Sequence, residues 1–389
     1  MDACKSVDSG KEEMIRLLSK LIAADTTNPP GNERRAAKVV EKFFKKNRIA
    51  YKIFEKEKGR TNIIGYIGKG KPRIIIACHL DVVPAGSGWK TNPFRMKVKK
   101  GKAYGRGATD NKGPLASVLI AGKILKSFEK KLKGQVVLAC VADEECGSKY
   151  GMYYLLNEGK LEGEYGIVPD IAYSMKKIDV AEKGLLHLKI TSLGRQAHGS
   201  RPEKGVNAIW NMVEFLNILK KHRMRFRRHP LLSGPTSNLG IIRGGNAANI
   251  VPGECEVHLD FRYLPSQKTE DMTRGIKDMF SKVREKNRKA RFRLEVVDHQ
   301  KPVEVDEDNI LVRKIRQHAK EVIGKYPEVT GLSGTTVVKP LVMKGILAVG
   351  YSAGGEVAHM ANEFIRIREL VDFSKILCLV CFDLMSASG

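Results

Sequence analysis

Apolar residues recur at helical spacing through KEEMIRLLSKLIAADTTNPPGNERRAAKVVEKFFKKN, on both sides of Pro29-Pro30-Gly31. The spacing predicts two helices joined by a turn, since proline fixes φ and glycine relaxes it. Four short apolar runs follow: TNIIGYIG, RIIIACHL, GQVVLACVAD and YGIVPD. Helical patterns, KGPLASVLIAGKILKSF and SKYGMYYLLNEG, separate the later ones. Alternation of strand and helix, with apolar runs unbroken by polar positions, predicts an α/β fold built on a mainly parallel sheet covered on both faces.

Near Gly184 the pattern changes. LLHLKITSL reads as a strand, GVNAIWNMVEFLNILKKH as a helix, and TSNLGIIRG and CEVHLDFRYL as two strands. TEDMTRGIKDMFSKVREKN is a helix and RFRLEVVDH a last strand. The order βαββαβ is that of a ferredoxin-like unit. A second domain over 184–298 is therefore expected as an insertion in a first domain of 1–183 and 299–389. NILVRKIRQHAKEVIG, ILAVGYS and the apolar C-terminal helix return to the first domain. A length of 389 residues also favours two cores over one.

The N-terminal residues hold no apolar core of signal-peptide length, and no run reaches the roughly 18 apolar residues of a membrane span. A cytoplasmic protein without a membrane partner is expected. The seven cysteines are odd in number and scattered, which suits reduced thiols. Cys378 and Cys381 have redox or zinc spacing, but they lie in an apolar helical segment and read as core. The net charge of +26 raises nucleic-acid binding as a class. Lys and Arg are distributed over amphipathic helices such as EKFFKKN and KSFEKKLKG, so a solvated basic surface that draws in anionic substrates is the preferred reading.

Chemistry gathers at the strand ends. RIIIACHLD closes on His79 and Asp81, VVLACVADEE on Glu144 and Glu145, and YGIVPD on Asp170. Asp110 stands among Gly105, Gly107 and Gly113, and His359 follows a glycine pair. In α/β sheets the carboxyl ends of the strands border the ligand crevice. Imidazoles and carboxylates together suit Zn²⁺, Co²⁺ or Mn²⁺. A carboxylate shared by two ions is how dinuclear hydrolases hold attacking and leaving oxygens.

The motifs DTTNPPGNE, ACHLDVVPAG, GRGATDNKG, DEECGS, AEKG, AHGSRPEKGVNAI, GGNAANIVPG, LDFRYLP and AHMANE together resemble the acetylornithine deacetylase / succinyl-diaminopimelate desuccinylase family, which includes the aminoacylases and carboxypeptidase G. The resemblance runs nearly end to end. It implies two divalent metal ions per subunit, zinc first: His79 and Asp170 on one, Glu145 and His359 on the other, Asp110 bridging. Asp81 would orient His79, and Glu144 would be the general base. The inserted domain would serve as lid and dimerisation domain in a homodimer, with His198 reaching across to the oxyanion. Asn249 and Arg262 would bind the substrate carboxylate.

Two positions depart from the family pattern. Pro169-Asp170-Ile171-Ala172 stands where Gly-Glu-Pro-Thr is common, which shortens one ligand by a methylene. Gly334-Thr335-Thr336 stands where Gly-Thr-Asp is common, which removes an acid near the site. The resemblance implies hydrolysis of an N-acyl amino acid, succinyl-diaminopimelate or acetylornithine. A dipeptidase or carboxypeptidase using the same residues is the alternative, and a basic nucleic-acid-binding protein with a vestigial metal site is the reading from another class.

Overall fold

The computed structural model describes residues 3–386. They form two compact units: one from the N-terminus to Val180 with Val305–Thr330 and the segment from Thr336 onward, the other Ala181–Glu304 with Gly331–Thr335.

The first unit is built on a sheet ordered Ala50–Glu55, Thr61–Gly68, Gln135–Val141, Arg73–His79, Tyr165–Val168, Leu347–Gly350 and Lys177–Glu182. Its centre is parallel: Arg73–His79 runs alongside both Gln135–Val141 and Tyr165–Val168, and Leu347–Gly350 alongside Tyr165–Val168. Antiparallel strands flank this centre. Ile74, Ile75, Val136 and Leu138 are wholly buried, as strands covered on both faces must be. One face packs Ile75, Ala77, Val137 and Ala139 against Met152, Leu155 and Leu341. On the other lies the helix Lys112–Ser127, buried along nearly its whole length. Gly122 lets it approach, since a Cβ there would stand 2.5 Å from Leu138 Cδ1. The helix Ile367–Ser386 packs against it, and Cys378 and Cys381 are unpaired core residues there.

The expected helix pair around Pro29-Pro30 is Lys11–Ala23 and Arg34–Lys46. Among the elements that had no clear signal are the helix Ala3–Ser9, the outer strand Ala50–Glu55 and the strand Lys177–Glu182. The last carries Asp179, Lys177 and Glu182 in a short run, so its polar residues hide a strand whose side chains are mostly buried.

The second unit has strand order Thr236–Gly244, Glu254–Tyr263, Gly184–Leu193, Arg291–Gln300, all antiparallel. With helices Ala208–Lys221 and Thr269–Lys286 inserted in the βαββαβ order, this is the ferredoxin-like topology. Glu254–Tyr263 alternates buried and half-exposed residues along its length, the period-two signature of a sheet covered on one face. Leu188, Val257 and Leu259 meet Met212, Phe215 and Phe280 beneath the helices. The segment Gly331–Thr335 joins this unit through the Lys183 N–H to Leu332 carbonyl bond. Among the described residues no helix is long and apolar enough to cross a membrane.

Candidate active site

His79 is the last residue of a central parallel strand. Val141 ends the neighbouring strand just before Asp143, Glu144 and Glu145, and Val168 ends the next just before Asp170. Three parallel strands thus deliver their polar residues to one edge of the sheet. The loop 105–111, ahead of helix Lys112–Ser127, brings Asp110 to them, and the loop after Leu347–Gly350 brings His359.

Asp110 lies between the two imidazoles. Its Oδ1 is 2.7 Å from His79 Nε2 and its Oδ2 is 3.1 Å from His359 Nε2. On the His79 side, Nε2 is 3.7 Å from Asp170 Oδ1. On the other, His359 Nε2 is 3.2 Å from Glu145 Oε2. Ligand atoms of His79, Asp110 and Glu145 all lie within 4.8 Å of one another, as do those of His79, Glu144 and Asp170. His359 holds its place with φ at +64°, a conformation costly for a side chain with a Cβ and concentrated at functional sites.

The charges here are strongly perturbed. Burial pushes the Glu144 carboxyl well above its usual range, and the nearby Asp170 carboxylate adds to this. Burial raises Glu145 and Asp170 as well, each with Asp110 reinforcing the shift. Burial disfavours the His79 imidazolium, but Asp170 and the hydrogen bond to Asp110 override it, and the net shift is well upward. His359 is raised to about 10, first by its hydrogen bond to Asp110 and then by Glu145. Asp110 is itself buried, yet the two imidazoles hold it well below the normal carboxylate range.

Asp81 meets His79 through both its main chain and its carboxylate. His79 Nδ1 is 3.0 Å from the Asp81 main-chain carbonyl and 3.5 Å from Oδ1. The carboxylate also accepts the backbone N–H groups of Glu144 and Glu145, each at 3.1 Å, and the Asn28 amide at 2.8 Å. It fixes the turn that presents both glutamates.

A supporting layer escaped the sequence reading. Asn28 also donates to Asp143 Oδ1 at 3.2 Å. Arg60, buried, joins Glu33 and Asp143, each through Nη2 at 2.7 Å. Asp143 sits at φ +66°, and its second oxygen accepts the Tyr150 N–H. Glu363, fully buried, pairs with Arg106 at 2.6 Å and accepts the N–H groups of Gly107, Thr109 and Asp110. Asn111 donates to Asp170 Oδ1 at 3.3 Å and to the Pro169 carbonyl. All the supporting side chains but that of Arg60 occur inside the quoted motifs DTTNPPGNE, GRGATDNKG, DEECGS and AHMANE, so a signal existed. What it lacked was any hint of which polar residue would be buried.

Thr336 is buried beside the helix Val338–Met343, where its hydroxyl accepts the Val338 N–H. His198, Asn249 and Arg262 belong to the second unit. His198 Nδ1 accepts the Ser200 N–H at 3.1 Å, which leaves Nε2 as the ring donor. The Asn249 carbonyl accepts from Gly199 at 2.7 Å. Arg262 forks onto Asp260, Nε to Oδ1 at 2.8 Å and Nη2 to Oδ2 at 3.2 Å.

A profile of peptidase family M20/M25/M40 matches residues 75–382, which include His79, Asp81, Asp110, Glu144, Glu145, Asp170 and His359. The chain belongs to this family. An uncharacterized metallohydrolase of Methanocaldococcus jannaschii is 31% identical over 400 residues, covering 94% of this chain and 98% of its own. A probable succinyl-diaminopimelate desuccinylase of Staphylococcus epidermidis is 28% identical, covering 92% and 94%. In fold the chain is similar to the aminopeptidase PepT of Bacillus cereus, with TM-score 0.76 and 23% identity over 96% and 98% of the two chains. As an M20 member the protein is a metallohydrolase acting on amides. Its residues fit a divalent-metal site: two imidazoles and four carboxylates converge, and the buried Glu145 Oε1 has no hydrogen-bond partner. Carboxylates crowded without water are expensive unless cations neutralise them.

Proposed function

We propose that the protein hydrolyses the amide bond of an N-acyl amino acid, with Glu144 as general base. The observation that carries this reading is the division of labour among neighbouring carboxylates. Asp110 spans the two imidazoles, Glu145 faces His359 and Asp170 faces His79, while Glu144 has no such contact and keeps a raised pKa.

His79, Asp170, Asp110, Glu145 and His359 would hold two divalent ions, Zn²⁺ in our reading with Co²⁺ or Mn²⁺ as substitutes. When bound, these ions would lower the pKa of water and polarise the acyl carbonyl. Glu144 takes the proton of the attacking water and returns it to the leaving amine, a role that suits a carboxyl whose proton affinity burial has raised. Asp81 orients His79 and keeps the Glu144 backbone in place. His198 donates to the oxyanion. Asn249 and Arg262 bind the substrate carboxylate, with Asp260 holding the guanidinium plane and leaving Nη1 outside that fork.

The substrates that fit the reading are N-succinyl-diaminopimelate and N-acetylornithine, the former supported by the similarity to the staphylococcal desuccinylase. The setting we propose is the cytoplasm, consistent with seven free cysteines, and the assembly a homodimer. Strand Thr236–Gly244 is an unpaired edge with every residue exposed, Leu239, Ile241 and Ile242 among them. Such an edge invites a second strand.

The test is hydrolysis by the zinc-loaded protein of N-succinyl-diaminopimelate, N-acetylornithine, other N-acetyl amino acids and dipeptides, before and after chelation. Metal-dependent preference for one acyl amino acid is expected. Cleavage of dipeptides alone would replace the deacylase reading with a dipeptidase or carboxypeptidase.

A further inference from the structure

The positive charge is less evenly spread than the amphipathic helices suggest. Between Glu214 and Glu254 the sequence contains no acidic residue, yet it carries Lys220, Lys221, Arg223, Arg225, Arg227 and Arg228 within KKHRMRFRR. In the structure this segment follows the helix Ala208–Lys221 and runs beside the helix Thr269–Lys286. Two adjoining cavities of about 360 and 470 Å³ lie between them and share His222, Arg223, Gly275 and Met279.

The floor of this groove is apolar and soft. Leu219, Met224, Met272, Ile276 and Met279 line it, so three of the chain's 12 methionines stand in one place. Unbranched thioethers adapt to varied apolar shapes and are over-used at binding surfaces. Gly275 sits in the middle of the helix Thr269–Lys286, where glycine weakens a helix, and a Cβ built there meets nothing within 4 Å. Among the described residues no packing requires a glycine here. Its effect is to keep the junction of the two cavities open.

The rim is cationic. Lys221, Arg223, Arg225, Lys268 and Lys282 border the groove, and among the described residues none has a carboxylate within ion-pair distance. Of the two acids present, Asp271 is engaged by Arg274 at 3.1 Å, which leaves Asp278. Gln267 ties the basic segment to this wall, donating to the Arg225 carbonyl at 3.1 Å while its Oε1 accepts the Leu264 N–H. Five cations set against so few carboxylates raise the local potential and attract anions.

We propose that this groove binds an acidic amphipathic peptide segment of a partner protein. Apolar side chains at helical spacing would enter the methionine-lined floor, and carboxylates on either side would meet the unpaired Lys and Arg, the helix-in-groove mode of recognition. Charge complementarity selects an acidic partner. The floor selects a peptide over a single-stranded nucleic acid, which needs aromatic faces for its bases: Phe261 is only 4% exposed, and Phe226 lies outside the lining. No residue of the edge strand Thr236–Gly244 lines the groove.

The experiment uses the full chain and a fluorescein-labelled helix-forming peptide of Glu, Leu and Ala, with Leu at positions i, i+3, i+4 and i+7, read by fluorescence anisotropy. Saturable binding is expected. It should weaken about tenfold or more in Gly275→Leu, which fills the groove, and in the exposed double variant R223E/R225E, which cannot unfold a core. Thermal melting confirms that each variant folds. A scrambled peptide of the same composition binding as tightly would overturn the proposal, as would unchanged affinity in both variants. Tighter, salt-sensitive binding of single-stranded polyuridylate, untouched by Gly275→Leu, would overturn it in favour of a nucleic-acid surface.

Discussion

The backbone N–H of Glu144 donates to Asp81 Oδ1 at 3.1 Å, across 63 residues of sequence. The other oxygen of Asp81 takes the N–H of Glu145 at the same distance. One carboxylate therefore sets the positions of a proposed base and a proposed metal ligand that have unlike tasks. Asp81→Asn keeps the shape but turns one acceptor into a donor facing an N–H group. A loss of ~1–3 kcal/mol is expected for the buried mismatch, read by urea unfolding, together with a fall in kcat. Unchanged stability would show that the turn is held elsewhere.

Glu144→Gln removes the base and preserves size. The expected outcome is a kcat lower by ~10²–10⁴-fold with metal content unchanged, measured by steady-state kinetics and elemental analysis. His359→Ala should instead lose metal. Near-normal turnover in Glu144→Gln would assign the base to another group.

Glu363 tests how far the loop of Asp110 depends on one buried acid. Its carboxylate meets Arg106 and three N–H groups, the last that of Asp110 itself. Glu363→Gln leaves Arg106 charged and unpaired in the interior, a change worth about 3–5 kcal/mol. Calorimetry reads the stability, and metal titration reads whether Asp110 has moved.

In the metal-free protein His359 is raised from 6.5 to about 10, so at neutral pH its ring carries a proton that a metal must displace. Apparent metal affinity should strengthen as pH rises toward 10 and weaken as it falls, with protons released on binding. Calorimetric titration in buffers of different ionisation enthalpy measures that release. Binding that is independent of pH would remove His359 from the ligand set.

Ile242 is 53% exposed on the edge strand. Ile242→Asp places a charge where a second strand would pair, and light scattering should show a monomer with its unfolding midpoint little changed. A monomeric unsubstituted chain would refute the dimer at once.

Much of the architecture was written in periodicity. Ile74, Ile75 and Ile76 announce a strand buried on both faces, and the alternation along Glu254–Tyr263 a strand buried on one. Lys177–Glu182 was hidden because Lys177, Asp179 and Glu182 disguise its backbone. A polar residue betrays burial only through partners distant in sequence, and Asp179 is fully buried.

The sequence by itself determined which residues stand at strand ends, since a strand's last residue and the turn after it are local facts. His79, Asp81, Glu144, Glu145 and Asp170 follow from that, and His359 from its motif. Only the tertiary structure decided which carboxylate faces which imidazole, that Asp81 serves two backbone amides as well as His79, and that Arg60 and Glu363 are interior. Those outcomes depend on burial and on contacts across tens to hundreds of residues, where desolvation makes a polar group find a partner. The same holds for the basic groove. Its cations are visible one by one in KKHRMRFRR, but only folding sets them beside Met272 and Met279 of another helix.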